Sequence, residues 1–505
     1  MNMKKDLFPF ILLCVYCFFS NVIAASPQSS SAVTRKAFDF VVGVDGDFKA
    51  AMAAASKAAS SGKRFYIFFP NGEYNIGSLT GNSNQMTTFS TSNVSFIGQS
   101  ADSTVIFNKS SQEGISVTAT LYFSNANDLY LQDITVLNKA NYGDPSTYST
   151  TGRHVAIMEQ GDDIIYKNVK LLSTQDSYYT KGKRTYWENG EIHGTTDFIC
   201  GGGDIYFNKC LIYTDKNSTI TAPATTTSWG YVFMNCTIDG SVSTYKLGRS
   251  WSNSPKCVFI NTVMKKLPAA AGWGDPMNVV PSLFSEYNSK TASGSAVDLS
   301  GRRTTYTLSG TTVTLKPVLT ADEAAKYTID NVMGTWKPDL LTLQVSAPVV
   351  RHEGSTLKWD DNDKALCWVI FKDKKYYKCV TTDSCEIASD AQASYVVRAA
   401  NAMGGLGPVS GGTGAYRTLS PKLSNEALTS FLDPVDRTLY IQASAANSLK
   451  ATIFSLNGKI LLSRKFTIGA GVCKVEMPLA GIKNGNYLIR YECNRSVKIG
   501  HINLF

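Results

Sequence analysis

Residues 166–201 contain the same sequence pattern twice. The first copy reads Tyr-Lys-Asn-Val-Lys-Leu at 166–171 and Gln-Asp-Ser-Tyr-Tyr at 175–179; the second reads Trp-Glu-Asn-Gly-Glu-Ile at 187–192 and Thr-Thr-Asp-Phe-Ile at 195–199. Asp176 and Asp197 each lie eight residues after the asparagine of their copy. If each copy is one coil of a stacked β-structure, equivalent residues on neighbouring coils lie about 4.8 Å apart. The sequence therefore predicts that the two aspartates are close neighbours.

The start of this sequence pattern recurs along the chain. Six copies begin at residues 133, 168, 189, 209, 235 and 261, at intervals of 35, 21, 20, 26 and 26 residues, and five of them begin with Asn or Asp. Short strands at a period of twenty residues or more predict a right-handed parallel β-helix with loops of uneven length. A Greek-key sandwich would not repeat such a start so regularly.

Two carboxylates this close are predicted to lose their protons at different pH values. Like charges about 5 Å apart repel by about 3 kcal/mol at an effective dielectric constant near 20, so one group stays protonated while the other ionises. That division provides an acid beside a nucleophile or base. The alternative interpretation is that Asp176 and Asp197 only end strands and cap turns, and the spacing alone leaves both interpretations open.

The composition indicates a multidomain, β-rich protein with an excess of basic over acidic residues. At 505 residues the chain is longer than a single core usually grows, and 43% hydrophobic with 18% charged residues excludes wholesale disorder. The formal net charge is +9. This balance favours an acidic polymer as partner only weakly, since nucleic acid, an anionic polysaccharide and simple solubility all fit it.

The first 25 residues predict export. Lys4 and Lys5 precede an apolar run over residues 7–19, and residues 23–25 offer small side chains for cleavage, which is typical of a secretory signal. A lipoprotein signal fits less well, because Leu13 stands where a small residue would be expected before the cysteine. No later segment is long and apolar enough to span a bilayer. We therefore expect the mature protein to be secreted or attached to the cell surface.

The cysteines do not predict a disulfide framework. Nine remain after the signal, an odd number, and none of them forms a CxxC pair. Cys210, Cys236 and Cys257 fall at repeat positions where buried apolar residues are expected.

Changes of pattern predict an all-β protein of several domains. A predicted helix at residues 48–59 caps the open end of the solenoid, and the solenoid closes near residues 320–336. Two small β-sandwich modules follow. The predicted boundaries are a signal peptide at 1–25, the parallel β-helix at 26–340, the first module at 345–410, a linker at 411–424 and the second module at 425–505. The β-helix segment alone is expected to be sufficient for any chemistry.

Each module resembles a known family. Val-Val-Arg-Ala-Ala-Asn at 396–401 is similar to fibronectin type III modules. The second module is similar to the C-terminal sorting domains of type IX secretion, with Asp433-Pro434 where that family usually opens on Asn-Pro, although residues 500–505 run past its usual short basic end. This resemblance implies an interaction with the type IX secretion machinery. A plain structural sandwich is the alternative.

Three motifs of the solenoid carry a stronger resemblance. They are Gln-Asp-Ser-Tyr-Tyr at 175–179, Gly-Thr-Thr-Asp-Phe-Ile-Cys-Gly at 194–201 and Leu-Gly-Arg-Ser-Trp at 247–251. In this order they resemble the signature of pectin methylesterases, carbohydrate esterases with a right-handed β-helix, and the likeness extends from Phe38 to about Trp336. It implies a monomer that hydrolyses methyl esters of galacturonate in pectin, with no cofactor and no nucleic acid partner.

The resemblance also implies roles for matching residues. Asp197 would attack the ester carbonyl, and Asp176 would protonate the departing methanol and then activate water. Arg249 would orient the Asp197 carboxylate, and Gln175 would donate a hydrogen bond to the oxyanion. Aromatic faces for sugar rings would come from side chains that could instead pack in the core: Trp251, Tyr178 and Phe198.

Arg153 is the clearest departure from the family pattern. It stands where these enzymes usually carry a second glutamine, a neutral donor to the oxyanion. A guanidinium there would stabilise the oxyanion more strongly, but it would also lower the pKa of Asp176. The alternative is that Arg153 faces solvent or binds a substrate carboxylate.

Other classes of function are weighed against the esterase. Four histidines and the lack of a close acidic cluster predict no metal site, which disfavours a Ca²⁺-dependent pectate lyase. A non-catalytic glycan-binding β-helix is a second hypothesis, and an esterase for another ester of a pectic polymer is a third. Retention of Asp176, Asp197, Arg249 and Gln175 favours catalysis over binding alone.

Overall fold

A computed structural model describes residues 32–77, 86–140, 142–147, 152–274, 276–387 and 393–410, and most of 428–504. The predicted signal peptide at 1–25 and linker at 411–424 lie outside these residues. Contacts divide the chain into two compact units, residues 1–414 and 415–505.

Three parallel sheets run along the first unit, and seven coils of the chain contribute one strand to each sheet. The ten-stranded sheet consists of Phe40–Val41, Phe65–Phe69, Val94–Gly98, Tyr130–Gln132, Ile164–Lys167, Arg184–Glu188, Asp204–Asn208, Tyr231–Met234, Lys256–Ile260 and Leu283–Tyr287. The nine-stranded sheet consists of Gly72–Asn75, Thr104–Asn108, Thr135–Asn138, Lys170–Leu172, Glu191–Gly194, Leu211–Thr214, Thr237–Gly240, Val263–Met264 and Lys290–Thr291. The seven-stranded sheet consists of Thr87–Phe89, Leu121–Phe123, Ile157–Glu159, Tyr178–Thr180, Ile199–Gly201, Thr219–Pro223 and Lys246–Gly248. The predicted parallel β-helix is confirmed.

The recurring Asn or Asp forms a corner of each coil. Asn168, Asn189, Asn235 and Asn261 all have φ between 50° and 54°, a left-handed conformation that Asn and Asp adopt more readily than other non-glycine residues. Neighbouring corners also bond to each other, as where the Asn288 amide donates to Asn261 Oδ1 (2.8 Å). The repeat detected in the sequence therefore marks the turn between the ten-stranded and nine-stranded sheets.

Aromatic rings stacked from coil to coil fill the interior. Trp187 lies 4.2 Å from Tyr166 between ring centroids. Phe233 lies 4.4 Å from Phe207 and 4.3 Å from Phe259, in both cases within 4° of parallel. In-register parallel strands place equivalent side chains directly above one another, so a large ring on one coil favours a ring on the next. Cys210, Cys236 and Cys257 are buried in the same core, as predicted.

Helix α1, Phe48–Ala58, closes the first coils. The Asp47 side chain accepts a hydrogen bond from the Ala50 N–H (2.8 Å) at its N-terminus, and a short 3₁₀ turn, Ala59–Ser61, follows it and ends at Gly62 with φ 67°. Its buried residues join the core of the solenoid. The predicted capping helix is confirmed.

Three short helices follow the last coils. A hairpin of Thr305–Leu308 and Thr311–Thr314 precedes α2, Ala321–Ala324, α3, Ile329–Met333, and α4, Pro338–Leu341. Met333 and Tyr327 pack with Tyr206 and Val232 on the outer face of the ten-stranded sheet. The same apolar cluster continues to the first module, where Phe371 packs against Phe68.

The first module is a sandwich of two three-stranded antiparallel sheets. One sheet holds Arg351–Glu353, Thr356–Lys358 and Ser384–Glu386, and the other holds Cys367–Lys372, Lys375–Val380 and Tyr395–Ala400. Trp359 and Trp368 lie in the core between them, with ring centroids 5.9 Å apart. The predicted β-sandwich is confirmed for this segment.

Polar contacts fix this module to the solenoid. Arg398 donates from Nη1 to the Gln99 carbonyl (2.7 Å) and from Nη2 to Asp133 Oδ2 (3.2 Å). The Tyr66 hydroxyl donates to the Ala402 carbonyl (2.9 Å). These contacts and the shared apolar cluster show that the β-helix and the first module form one folded unit.

The second unit is also a β-sandwich. Its sheets hold Leu428–Asp433, Thr438–Ser444 and Val472–Pro478 on one side, and Ser448–Ser455, Ile460–Thr467, Gly485–Cys493 and Ser496–Leu504 on the other. Ile441 from the first sheet and Ile453 and Ile489 from the second are buried in one core. In the described part of the chain, none of the helices has the length and hydropathy needed to cross a membrane.

Candidate active site

Asp176 and Asp197 occupy equivalent corners of adjacent coils. Each lies between a strand of the nine-stranded sheet and a strand of the seven-stranded sheet, and the register pairs Tyr178 with Ile199 two residues further on. Their φ angles are 60° and 49°. The Asp176 N–H donates to the Thr196 carbonyl (3.2 Å), which fixes the two corners one above the other. The equal eight-residue offsets in the sequence correspond to this stacking.

Asp197 is held by a cation. Arg249 donates from Nη2 to Oδ2 (2.6 Å) and from Nε to both carboxylate oxygens (3.1 Å each). Thr219 Oγ1 also donates to Oδ1. Asp197 is 4% exposed, and charge-assisted bonds of this kind favour the ionised form of a buried carboxyl.

Asp176 has the same burial and a different electrostatic environment. It is also 4% exposed. Burial, followed by the neighbouring charge of Asp197, raises its pKa from 3.8 to about 8, although Arg153, the thiol of Cys200 and Arg249 act in the opposite direction. Asp176 is therefore a neutral acid at pH 7 beside a carboxylate. Of the two interpretations that the spacing left open, this environment favours an acid beside a carboxylate.

A ladder of outward-facing side chains forms the floor beside the two aspartates. Register in the seven-stranded sheet aligns Tyr122, Met158, Tyr179, Cys200 and Ala222 on successive coils. These side chains form an apolar cluster outside the main core, and Trp251 packs against it. The Tyr179 and Trp251 ring centroids are 6.0 Å apart. The aspartates thus lie at the edge of an apolar strip that crosses several coils. Tyr122 and Trp251 are its partly exposed members, and the other four side chains are each 5% exposed or less.

Two predicted substrate-binding residues are wrong. Tyr178 and Phe198 are both 0% exposed and belong to the interior core. The Tyr178 hydroxyl donates to Glu159 Oε1 (2.5 Å) inside the solenoid. The Phe198 side chain lies against Gly194, where an added Cβ would come within 2.1 Å of Phe198 Cβ. Side chains alternate between the faces of a strand, so the outward tyrosine is Tyr179. The motif therefore indicates the right strand but the wrong face of it.

Gln175 lies at the site with its side chain partly exposed. Its carbonyl accepts from the His154 N–H (3.1 Å), and its backbone pairs with that of Arg153 on the preceding coil. Its amide has no hydrogen-bond partner among the residues that the structure describes, so it is free to donate to a ligand. Trp251 is partly exposed as well.

Arg153 faces the site from the preceding coil and is bound by a residue that the sequence did not indicate. Glu113 accepts from Arg153 Nε (2.5 Å) and Nη2 (3.0 Å). Glu113 lies forty residues earlier in a loop, and no motif or spacing connects it to the site. Within the described residues, no group of three or more His, Cys, Asp or Glu side chains is placed to hold a metal ion.

Comparison with known families agrees with this architecture. The family model named Pectinesterase matches residues 39–335, which is more than half of the chain and includes both aspartates and Arg249. The chain belongs to the pectinesterase family.

Individual relatives match parts of the chain. A probable pectinesterase/pectinesterase inhibitor of Arabidopsis thaliana is 28% identical over 323 residues, covering 60% of this chain and 53% of the relative. Pectinesterase 2 of Citrus sinensis is 28% identical over 242 residues, covering 44% of each. The chain spans about half the length of these curated relatives.

Solved structures are similar over part of the chain. A pectin methylesterase from Erwinia chrysanthemi is 25% identical with a TM-score of 0.47, and the match covers 61% of this chain and 99% of that one. A pectin methylesterase from Yersinia enterocolitica is 24% identical with a TM-score of 0.45, covering 57% and 98%.

Proposed function

We propose that this protein is a pectinesterase that hydrolyses methyl esters of galacturonate in pectin, with methanol and pectate as products. The observation that carries the proposal is the pair of equally buried aspartates, of which one is bound by Arg249 and the other has its pKa raised to about 8. Ester hydrolysis needs a nucleophile and a proton donor at one carbonyl, and this pair provides both.

In the first step, an Asp197 carboxylate oxygen attacks the carbonyl carbon of the ester. The tetrahedral intermediate collapses as the bond to the methoxy oxygen breaks, and that oxygen takes the proton of Asp176. Methanol leaves, and a mixed anhydride joins Asp197 to the galacturonate. Asp176 is now ionised and can act as a base in the next step.

In the second step, Asp176 removes a proton from water as the water oxygen attacks the galacturonate carbonyl. The anhydride bond to Asp197 breaks, which restores its carboxylate and leaves Asp176 protonated. Arg249 orients the Asp197 carboxylate through both steps. The free amide of Gln175 donates to the oxyanion that forms in each tetrahedral intermediate.

The polymer binds along the outward ladder of the seven-stranded sheet. Trp251, which is partly exposed and packs against Tyr179, offers aromatic surface for a sugar ring beside the reacting ester, in place of the buried Tyr178 and Phe198. The net charge of +9 favours association with an acidic polysaccharide.

The remaining segments serve delivery and stability. We infer that residues 1–25 direct export, that residues 425–505 are read by the type IX secretion machinery, and that the enzyme works as a secreted or surface-attached monomer. The first module is assigned to the fibronectin type III class on its sequence pattern, and its extensive packing on the β-helix favours a stabilising role for it.

Methanol release from highly methylated homogalacturonan tests the proposed activity. We expect methanol from this substrate and no acetate from acetylated pectin, with activity lost in Asp197→Ala. Acetate as the only product would assign the site to a different ester. Binding of the polymer without release of either product would make the protein a glycan-binding member of the family.

A further inference from the structure

Glu113 is built into the site by more than one contact. Besides the two bonds to the Arg153 guanidinium, its Oε1 accepts from the Arg153 backbone N–H (3.1 Å). Gly152 leaves the space that the Glu113 side chain occupies, since a Cβ there would lie 1.8 Å from Glu113 Cγ. The Gly114 N–H donates to the Arg153 carbonyl (3.1 Å), so the loop holds Arg153 from both ends.

This pair lies at the edge of the reacting groups. The backbone of Arg153 pairs with that of Gln175, the residue directly before Asp176. The groups that act electrostatically on Asp176 are Asp197 and Arg249 from one side, Cys200 from the next coil and Arg153 from the preceding coil. Glu113 itself interacts with Arg153 and His154. Arg153 is therefore the connection between Glu113 and the acid.

We propose that Glu113 is a positioning residue of this site, which holds the Arg153 guanidinium on its own carboxylate rather than on Asp176 and so keeps Asp176 in its acid form. Arg153 can then still offer its remaining N–H groups to substrate, while its positive charge is balanced by a carboxylate that is not part of the reaction. Arg153, a cation where the family usually has a neutral glutamine, can thus donate hydrogen bonds to substrate without causing Asp176 to ionise.

The direction of the effect follows from the charges. Arg153 lowers the pKa of Asp176, and the bonds from Arg153 hold the pKa of Glu113 at about 2, so Glu113 stays negative at any pH where the site works. Removing that carboxylate releases the Arg153 guanidinium, which is then free to turn toward the carboxyl of Asp176. The pKa of Asp176 then falls, the protonated acid is lost at lower pH, and the alkaline limb of the pH–rate profile moves downward.

A three-variant cycle tests this role, which rests on the proposed roles of Asp176 and Asp197. In Glu113→Gln we expect the alkaline limb of kcat/KM to move down by about half a pH unit to one unit. In Arg153→Gln it should move up. The double variant should match Arg153→Gln alone, because Glu113 acts through Arg153. Glu73→Gln, which removes the exposed partner of Lys139 (3.0 Å), is the matched control and should leave the limb in place.

The structure also makes the variants suitable for this test. Arg153 and Glu113 are 45% and 48% exposed at their side chains, and exposed ion pairs contribute little to stability, so the variants should fold. An unmoved or raised limb in Glu113→Gln would overturn the proposal. Additive shifts in the double variant would overturn it too, since they would mean that Glu113 acts on Asp176 directly.

A readout without turnover separates this proposal from the proposed activity. The carboxyl ¹³C resonance of Asp176, assigned with Asp176→Asn in aspartate-labelled protein, should titrate at lower pH in Glu113→Gln than in the parent protein. If the protein releases no methanol, the esterase proposal fails while this titration still decides the role of Glu113. An unchanged titration in an active enzyme refutes only the positioning role.

Discussion

Asp176→Asn should stabilise the protein at neutral pH, because the folded state holds this carboxyl in an unfavourable place. Its pKa is about 8 in the folded protein against 3.8 for an unperturbed aspartate. Between these values the unfolded chain releases the proton and the folded protein keeps it. The free energy of unfolding of the parent protein therefore falls by up to about 1.36 kcal/mol per pH unit over this interval.

The size of the effect depends on pH. At pH 7.5 the penalty removed by the substitution is at most about 5 kcal/mol, and at pH 4.5 it is about 1 kcal/mol. Asparagine accepts the left-handed backbone at this corner, but its buried amide needs hydrogen-bond partners of its own. We therefore expect the substitution Asp176→Asn to change the free energy of unfolding more favourably at pH 7.5 than at pH 4.5, by about 2 kcal/mol or more.

Asp197→Asn is the matched control, since it changes the equivalent residue on the next coil with the same exposure of 4%. It leaves Arg249 and Thr219 without their carboxylate, so it should lower the free energy of unfolding by about 1–3 kcal/mol. Urea unfolding followed by tryptophan fluorescence measures both, since Trp187 and Trp273 are fully buried in the solenoid. Equal effects of Asp176→Asn at the two pH values, or destabilisation at pH 7.5, would refute the reasoning.

Three further predictions follow from other parts of the molecule. Arg249→Gln should lower kcat by about a hundredfold or more while the protein stays folded, because the Asp197 carboxylate loses its orientation; steady-state kinetics that match the parent protein would remove Arg249 from the site. Trp251→Ala should raise KM on methylated pectin, whereas Tyr178→Phe should leave KM unchanged and lower stability by about 1–3 kcal/mol, because Glu159 loses a donor; a raised KM in Tyr178→Phe would contradict its placement in the core. Residues 26–410 should fold and release methanol, whereas residues 26–340 should lose cooperative unfolding, since they lack Arg398 and the apolar surface that covers the solenoid; an active and cooperatively folded 26–340 would show that the first module is dispensable.

The solenoid could be predicted because its physics is local and repeated. The left-handed corners select Asn and Asp, and stacking selects the same residue type on the next coil, so a one-dimensional repeat carries the fold. The same repeat fixed the relation between Asp176 and Asp197. Closeness accounts for only part of the separation of their protonation states, because burial is the larger cause of the raised pKa of Asp176 and the repeat does not show how deeply each side chain is buried.

Other features depended on information that the repeat does not carry. The choice between Tyr178 and Tyr179 depends on how the left-handed corner at Asp176 sets the phase of the strand, and adjacent tyrosines give no signal for either phase. Glu113 comes from a loop forty residues away. The packing of the first module on the ten-stranded sheet depends on long-range contacts such as that of Arg398 with Asp133, which no local pattern in the sequence indicates.

The pH dependence of kcat/KM for methanol release tests the central claim most directly. This parameter reports the titration of the free enzyme, and the claim is that Asp176 must be protonated beside an ionised Asp197. We predict an alkaline limb near pH 8, set by the pKa of Asp176. In Asp176→Asn, the residual activity should show no such limb. A rate that keeps rising through pH 9 and above would contradict the account, because it would mean that no acid with this pKa takes part in the reaction.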